Sequence, residues 1–279
     1  PQEVLAVYEG LGYHFASVSD HNQLTVVSGG VTHLPGIELT AHYSPQTRPV
    51  HVNAICVKSA AKGVAGREKS GAEVLQETLA TAQGTGAALI VVNHPNYGRA
   101  LRRADLAGAS GFNAIEITSG HKETREDDRK APLSAEGIWD ELLSEGREVW
   151  AVAADDSHQF KTDGEAQPGK AWVQVWAEDG SPGSLCAALN AGRFYSSEGP
   201  ALESLIVRGN TMRVSVAGAW DPGRDRIEFL KSRESGRESI AAVRSEQNAV
   251  YHLRGDEGYV RARVVQRGKR AWTQAYRLK

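Results

Sequence analysis

The order of apolar and helical segments constrains the fold of this chain more than any other feature of its sequence. Between residues 13 and 158, short apolar segments typical of β-strands alternate with segments whose apolar residues recur at helical spacing. The predicted strands are 13–19, 36–40, 50–57, 88–92, 114–118 and 148–153, and the clearest helices are 72–83, 134–145 and, further along, 181–191. Because several of these strands are apolar on both faces, we predict an α/β fold with a parallel sheet.

The pattern changes after Pro200, where short strands follow one another without helices between them. Their predicted ranges are 204–207, 212–216, 226–230, 249–253, 259–265 and 271–277, and Gly- and Asp-containing turns separate them. Apolar and polar residues alternate in these strands, which is typical of a small antiparallel β-sandwich. The sequence therefore predicts two domains, one over residues 1–199 and one over residues 200–279.

Composition excludes several classes of protein. The 279 residues include 32 Lys or Arg and 34 Asp or Glu, so the formal net charge is −2. Proteins dedicated to nucleic-acid binding usually have a strong basic excess, so we expect no nucleic-acid partner. No apolar run approaches the roughly 18–20 residues that a membrane helix needs, so we expect no membrane partner. Only two cysteines are present, Cys56 and Cys186, which excludes a disulfide-rich scaffold and a thiolate zinc cluster.

Ionisable and amide side chains stand at the ends of the strands predicted between residues 13 and 158. They are Asp20, His21, Glu38, His51, Asn53, Asn93, His94, His121, Asp155, Asp156 and His158. Strand ends meet at one edge of an α/β sheet, and imidazoles and carboxylates that converge there bind divalent cations. A single histidine at a strand end is more often a structural hydrogen-bonding group. Burying several carboxylates together without a cation is costly, however, so the series predicts a metal site.

Two other kinds of site fit the sequence poorly. A serine hydrolase needs a nucleophile elbow between a strand and a helix, and the segment Gly108-Ala-Ser110-Gly111 has the wrong spacing for one. A nucleotide-binding loop follows a strand and opens a helix, whereas Gly84-Thr-Gly86 follows a helix and precedes a strand. Both alternatives are therefore set aside.

Five short motifs, taken in order, resemble the polymerase and histidinol phosphatase (PHP) family. They are Asp20-His21, Gly36-Ile-Glu38, His51-Val-Asn53, Asn93-His94-Pro95 and Asp156-Ser-His158. The segment 192–200 and the β-rich tail are similar to the carbaryl-hydrolase type of PHP metallohydrolase. The resemblance covers nearly the whole chain and implies a distorted, TIM-like (β/α)7 barrel that hydrolyses phosphoesters. The His-x-His motif of the family's opening strand is absent here, so we expect a barrel without its first strand and with incomplete metal loading.

The resemblance also implies which residues hold the cofactors, expected to be two divalent ions of zinc, manganese or iron. The implied metal ligands are His21, Glu38, His51, His94, Asp156 and His158. Glu38 would bridge two ions, with His51 and His94 completing the coordination of one of them. Asp156 would bind the ion beside Glu38, while His21 and His158 would serve a further position.

These implied ligands predict metal-dependent hydrolysis of a small-molecule phosphoester, carbamate or carboxyl ester. Asp156, His158 and His21 are the expected catalytic residues, and a histidine not fully committed to metal would assist proton transfer. Arg99 and Tyr97, just beyond His94, are candidate substrate-binding residues, with ordinary surface loop residues as the alternative. The alternative function is an impaired barrel that acts as a binding module through its β-sandwich.

Overall fold

The computed structural model describes residues 2–43, 48–63, 68–124, 134–160, 164, 166–234 and 237–277. The α-helices in this part of the chain are α1 (Gln2–Gly10), α2 (Gly71–Gly84), α3 (Arg103–Gly108), α4 (Ala135–Ser144) and α5 (Pro182–Asn190). The first nine strands are β1 (Phe15–Ala16), β2 (Thr32–His33), β3 (Gly36–Tyr43), β4 (Arg48–Ile55), β5 (Leu89–Val92), β6 (Ala114–Ser119), β7 (Trp150–Ala154), β8 (Trp172–Val175) and β9 (Phe194–Ser197). The others are β10 (Leu202–Arg208), β11 (Thr211–Val216), β12 (Arg226–Glu234), β13 (Arg237–Arg244), β14 (Asn248–His252), β15 (Val260–Gln266) and β16 (Lys269–Thr273).

These strands form four sheets. A five-stranded sheet has the order β3-β4-β5-β6-β7, and a six-stranded sheet has the order β13-β12-β15-β16-β9-β8. The strands β10, β11 and β14 form a third sheet, and β1 pairs with β2 in a short parallel ladder. In the five-stranded sheet β5, β6 and β7 are parallel, whereas β3, β4 and β5 pair antiparallel.

The predicted α/β fold class and the distorted (β/α)7 barrel, with its TIM-like architecture, are both wrong. Over the described residues none of the four sheets closes on itself, and the fold is mostly β, with sixteen strands and five α-helices. Part of the reason is the connection between β3 and β4, which spans only residues 44–47. A parallel pair needs a crossover of about a dozen residues or more, so these two strands form an antiparallel hairpin.

The predicted helices are confirmed to within one residue at each end. Ser70 begins α2 with a capping box, in which its hydroxyl accepts from the backbone N–H of Glu73 and the Glu73 carboxylate accepts from the Ser70 N–H. Ser134 and Ser181 cap α4 and α5 with their hydroxyls alone, each accepting from a backbone N–H three residues later. Local sequence signals therefore set these helix boundaries.

The five-stranded sheet has one apolar face covered by α2 and α4. Ile37 and Leu39 of β3 are buried there together with Leu75 of α2 and Trp139 of α4. Because successive side chains of a strand point to opposite faces, Glu38 projects from the other face of the sheet. That other face, with α5 beside it, bears the residues of the candidate site.

The C-terminal strands form two antiparallel sheets that pack face to face. Met212 and Val214 of β11 are buried against Phe229 of β12 and Val264 of β15, which is the arrangement of a sandwich. The six-stranded sheet also includes β8 and β9, which precede residue 200. The two predicted domains therefore share a sheet.

A disulfide joins Cys56 and Cys186, which are 130 residues apart in the sequence. It links the segment after β4 to helix α5. This single bond is consistent with the exclusion of a disulfide-rich scaffold, but the sequence did not predict the pairing, because only the tertiary fold brings the two residues together.

Candidate metal centre

Four side chains that the sequence predicted as metal ligands lie together at one edge of the five-stranded sheet. The carboxylate of Glu38 is at the centre of the group, with Oε1 3.1 Å from Nδ1 of His51 and 3.7 Å from Nε2 of His94. Its Oε2 atom is 3.4 Å from Nδ1 of His21. We call these four residues the Glu38 cluster.

Strand pairing brings the Glu38 cluster together. In the β3–β4 hairpin Thr40 lies opposite His51, and the Thr40 hydroxyl is 2.6 Å from Nδ1 of His21. Asn93, directly after β5, donates its backbone N–H to the carbonyl oxygen of His51. Because β4 is antiparallel to β5, the first half of β4 reaches the same sheet edge as the end of β5. The rings of His51 and His94 therefore meet there, with centroids 4.9 Å apart.

The donor set of the Glu38 cluster fits a divalent cation. Burial raises the pKa of Glu38, but hydrogen bonds with His51 and His94 outweigh it and hold that pKa well below its usual range. Nδ1 of His51 and Nε2 of His94 are only 3.3 Å apart and both approach the same carboxylate oxygen. Once these two ring nitrogens are deprotonated, the imidazoles and the carboxylate bring lone pairs to one point, and zinc, manganese and iron accept such nitrogen and oxygen ligands.

A second group of potential ligands, which we call the Asp156 cluster, consists of His121, Asp156 and His158. Oδ2 of Asp156 is 3.1 Å from Nδ1 of His121, and Oδ1 is 3.6 Å from Nδ1 of His158. The ring centroids of His158 and His21 are 6.2 Å apart, so the second cluster adjoins the first. The resemblance placed Asp156 at the ion beside Glu38, whereas in the structure its carboxylate contacts His121.

The neighbouring carboxylate, Asp155, anchors the segment that carries Asp156. Its oxygens accept hydrogen bonds from the backbone N–H groups of residues 169–171, at 2.6–2.8 Å, and from the hydroxyl of Tyr8 in α1. Burial raises the pKa of Asp155, and these hydrogen bonds offset the effect only in part. With its oxygens engaged in this way, Asp155 positions its neighbour.

Both clusters adjoin a cavity of about 360 Å³ on the sheet face opposite α2 and α4. Along β5 and the residue after it, the side chains that line the cavity are Leu89, Val91 and Asn93, so the wall becomes polar toward the site. The polar part of the wall includes Glu38 and Asp156. The cavity therefore combines an apolar compartment with a rim of ionisable groups.

Two buried amides on the cavity wall have unsatisfied acceptors. Oδ1 of Asn53 and Oδ1 of Asn93 have no hydrogen-bond partner among the described residues. Nδ2 of Asn93 donates to Oε1 of Glu38 at 3.0 Å, so this amide is already oriented by the Glu38 cluster. Buried acceptors are rarely left unpaired, so the two oxygens are available to water, to a bound molecule or to an ion.

The backbone is strained at the same place. Three non-glycine residues there have positive φ angles, namely Asn22 at 54°, His94 at 22° and Asp156 at 50°. Such conformations cost on the order of 1–3 kcal/mol each, and they are concentrated at functional sites. Two of these residues are candidate ligands, which supports a functional reason for the strain.

The two candidate substrate-binding residues differ in position. The Tyr97 ring centroid is 5.3 Å from that of His94 and 6.4 Å from that of His51, so this side chain borders the Glu38 cluster. Arg99 is exposed, and its carbonyl oxygen accepts a hydrogen bond from Arg48. The cavity wall, as far as the described residues form it, contains neither residue.

The sequence pattern placed His121 among the strand-end residues but not among the implied metal ligands, and it did not single out Glu116. Glu116 lies inside β6 and is 2 % exposed, and its Oε2 atom accepts the backbone N–H of His94 at 2.9 Å. The signal that was available is a carboxylate within an otherwise apolar strand, because burying such a group is costly unless it has partners. For His121 the signal was its place directly after the same strand.

A third acidic group, formed by Glu136, Asp140 and Glu238, has a different role. The fully buried guanidinium of Arg261 donates to Glu136 and Asp140 at 2.7 Å, and Arg263 donates to Glu238 at 2.8 Å. These arginines supply the positive charge, so the group is an ion-pair network that joins α4 to the C-terminal sheet.

Within the described part of the chain, no helix has the length and apolar character needed to cross a membrane. Comparison of the chain with protein-family models, with curated proteins and with solved structures finds no match.

Proposed function

We propose that this chain is a metal-dependent hydrolase of small ester substrates, either phosphoesters or carbamate and carboxyl esters. The observation that carries the proposal is the convergence of His21, His51 and His94 on the buried carboxylate of Glu38, beside the cavity. Divalent cations supply two kinds of chemistry in such sites: they polarise the substrate oxygen and lower the pKa of a bound water.

The chain's own residues have distinct roles in this proposal. The Glu38 cluster holds the cation, and Tyr97 at its border is the candidate to orient the substrate. Arg99 remains a candidate contact only for a substrate that extends over the surface. The apolar part of the cavity excludes bulk water, which strengthens electrostatic interactions at its polar rim.

The hydrogen bonding of His158 suits it to proton transfer or to ligation. Its Nδ1 atom is 2.9 Å from the carbonyl oxygen of Asp156. A carbonyl oxygen only accepts, so Nδ1 carries the proton and Nε2 holds the lone pair. His158 lines the cavity, so the lone pair of its Nε2 atom is available on that wall either to a metal ion or as a base.

Metal reconstitution tests the proposal. Chelator-treated protein, reloaded separately with Zn²⁺, Mn²⁺ or Fe²⁺, is assayed with bis(p-nitrophenyl) phosphate, p-nitrophenyl phosphate and p-nitrophenyl acetate. We expect hydrolysis only after reloading, loss of that activity in His94→Ala, and retention in His252→Ala, which alters a histidine in the C-terminal sandwich.

Equal hydrolysis by the metal-free protein would refute the metal-dependent mechanism. Protein that binds metal but hydrolyses none of the three substrates would favour the alternative, a binding module.

A further inference from the structure

The end of β6 and the loop after β7 approach each other unusually closely. A Cβ atom added to Gly120 would lie 3.0 Å from the carbonyl oxygen of Asp155, so a larger residue would push the two segments apart. The N–H of Gly120 donates to the carbonyl oxygen of Ala154 at 2.8 Å. This contact is what places His121 beside Asp156.

The turn after β6 holds His121 in that position. The Thr124 hydroxyl lies 2.8 Å from the hydroxyl of Ser119 and 3.1 Å from the carbonyl oxygen of His121, and the His121 N–H also reaches Ser119. On the opposite side, the positive φ angle of Asp156 turns its carboxylate toward His121 and His158. The three side chains are thus oriented by the backbone around them.

The two clusters differ in exposure. In the Glu38 cluster the side chains of Glu38, His51 and His94 are only 4–11 % exposed and that of His21 is 47 % exposed, whereas all three side chains of the Asp156 cluster are 16–51 % exposed. Catalytic zinc sites combine three protein ligands with an open position, whereas structural sites are closed. The Asp156 cluster has two imidazoles, one carboxylate and access to the cavity.

From this geometry we infer that His121, Asp156 and His158 form a second metal site, adjacent to the Glu38 cluster and facing the substrate. The inference rests on the proposed function in one respect, because the cavity between the clusters is taken as the substrate site. His121 is a ligand of this site, and the more enclosed Glu38 cluster holds the other ion.

Cobalt titration of chelator-treated protein tests the inference independently of activity. Bound Co²⁺ is followed by visible absorption and by metal content per chain, for the wild type and for His121→Gln, His51→Gln and His252→Gln. We expect two ions per chain in the wild type and in His252→Gln, the matched control, and one ion in each of the other variants. The spectra of the two one-ion variants should differ and together account for the wild-type spectrum.

Circular dichroism melts verify that the variants are folded, and Asp156→Asn replaces His121→Gln if the latter does not fold. One ion in the wild type, or two retained ions in His121→Gln, would overturn the second site. Absence of any bound ion would overturn the proposed function as well. If the wild type binds two ions but hydrolyses no ester, and His121→Gln binds only one ion, the second site is upheld and the proposed hydrolase function is refuted.

Discussion

Replacing Glu38 by glutamine removes a charge while nearly preserving shape, so it isolates the electrostatic role of this residue. The side chain is 8 % exposed. The amide oxygen of the new residue can accept from Nδ2 of Asn93, as Oε1 does at 3.0 Å, and its NH₂ group can donate toward His21 in place of Oε2. Because hydrogen bonds with His51 and His94 hold the pKa of Glu38 below its usual range, its charge also stabilises the metal-free fold, and we expect the free energy of unfolding to fall by about 1.5–3 kcal/mol.

Metal affinity should change by at least as much as stability. At an effective dielectric constant of about 20, a unit negative charge roughly 3 Å from a divalent cation contributes on the order of 10 kcal/mol. Removing the cation and the carboxylate from water costs several kcal/mol for each of them, which offsets part of this attraction. We expect at least about 3 kcal/mol to remain, which corresponds to roughly a 100-fold increase in Kd for the ion. Hydrolysis should fall by about a hundredfold or more, as expected for loss of a key electrostatic group.

The assay compares Glu38→Gln with the wild type and with Glu203→Gln, which removes an exposed carboxylate from β10. Metal content after dialysis, Kd from calorimetric titration and initial hydrolysis rates are measured for all three proteins. An unchanged Kd and stoichiometry in Glu38→Gln would remove Glu38 from the metal centre and refute the argument from its buried charge.

Three further predictions concern the rest of the fold. Burial raises the pKa of Glu136, but the Arg261 guanidinium outweighs it and holds that pKa at about 2, below the ordinary 4.5. Stability from this carboxylate is therefore complete above pH 4.5 and lost as the pH falls toward 2, and urea titrations should show a smaller pH dependence in this window for Glu136→Gln. Trp272→Ala should cost about 3–5 kcal/mol in thermal melts with or without chelator, and a chelator-dependent cost would contradict its separation from the metal centre. Cys186→Ala should lower the free energy of unfolding by about 2–4 kcal/mol, since the bond to Cys56 closes a long loop; an unchanged value would show that the bond does not stabilise the fold.

Helix positions and ligand chemistry followed from local features of the sequence. Helical spacing predicted α2, α4 and α5, and serine caps stand at the start of all three in the structure, because both signals act within a few residues. The candidate ligands were recognisable because ionisable side chains interrupt apolar strands, and such residues are costly to bury unless they have partners. The structure brings the predicted His21, Glu38, His51 and His94 together at one sheet edge.

Strand direction and closure were decided only by the tertiary structure. Apolar strands separated by helices are typical of a parallel barrel, yet β4 pairs antiparallel with both of its neighbours. Hydrophobic periodicity reports which face of a strand is buried and does not report which strand lies beside it or in which direction. The barrel was therefore mispredicted, although the ligands that it was expected to carry still converge.

Long-range partners were equally invisible in the sequence. Tyr259 and Trp272 lie in strands predicted to form the sandwich, yet they are buried with Trp139 of α4, and the Tyr259 hydroxyl donates to Asp140. His121 reaches Asp156 only because β6 and β7 are parallel neighbours whose ends meet at one edge. The sequence showed which ionisable residues stand at strand ends and are available for a site. The pairing of strands distant in sequence decided which of those residues meet, because contacts between distant segments depend on the packing of the whole chain.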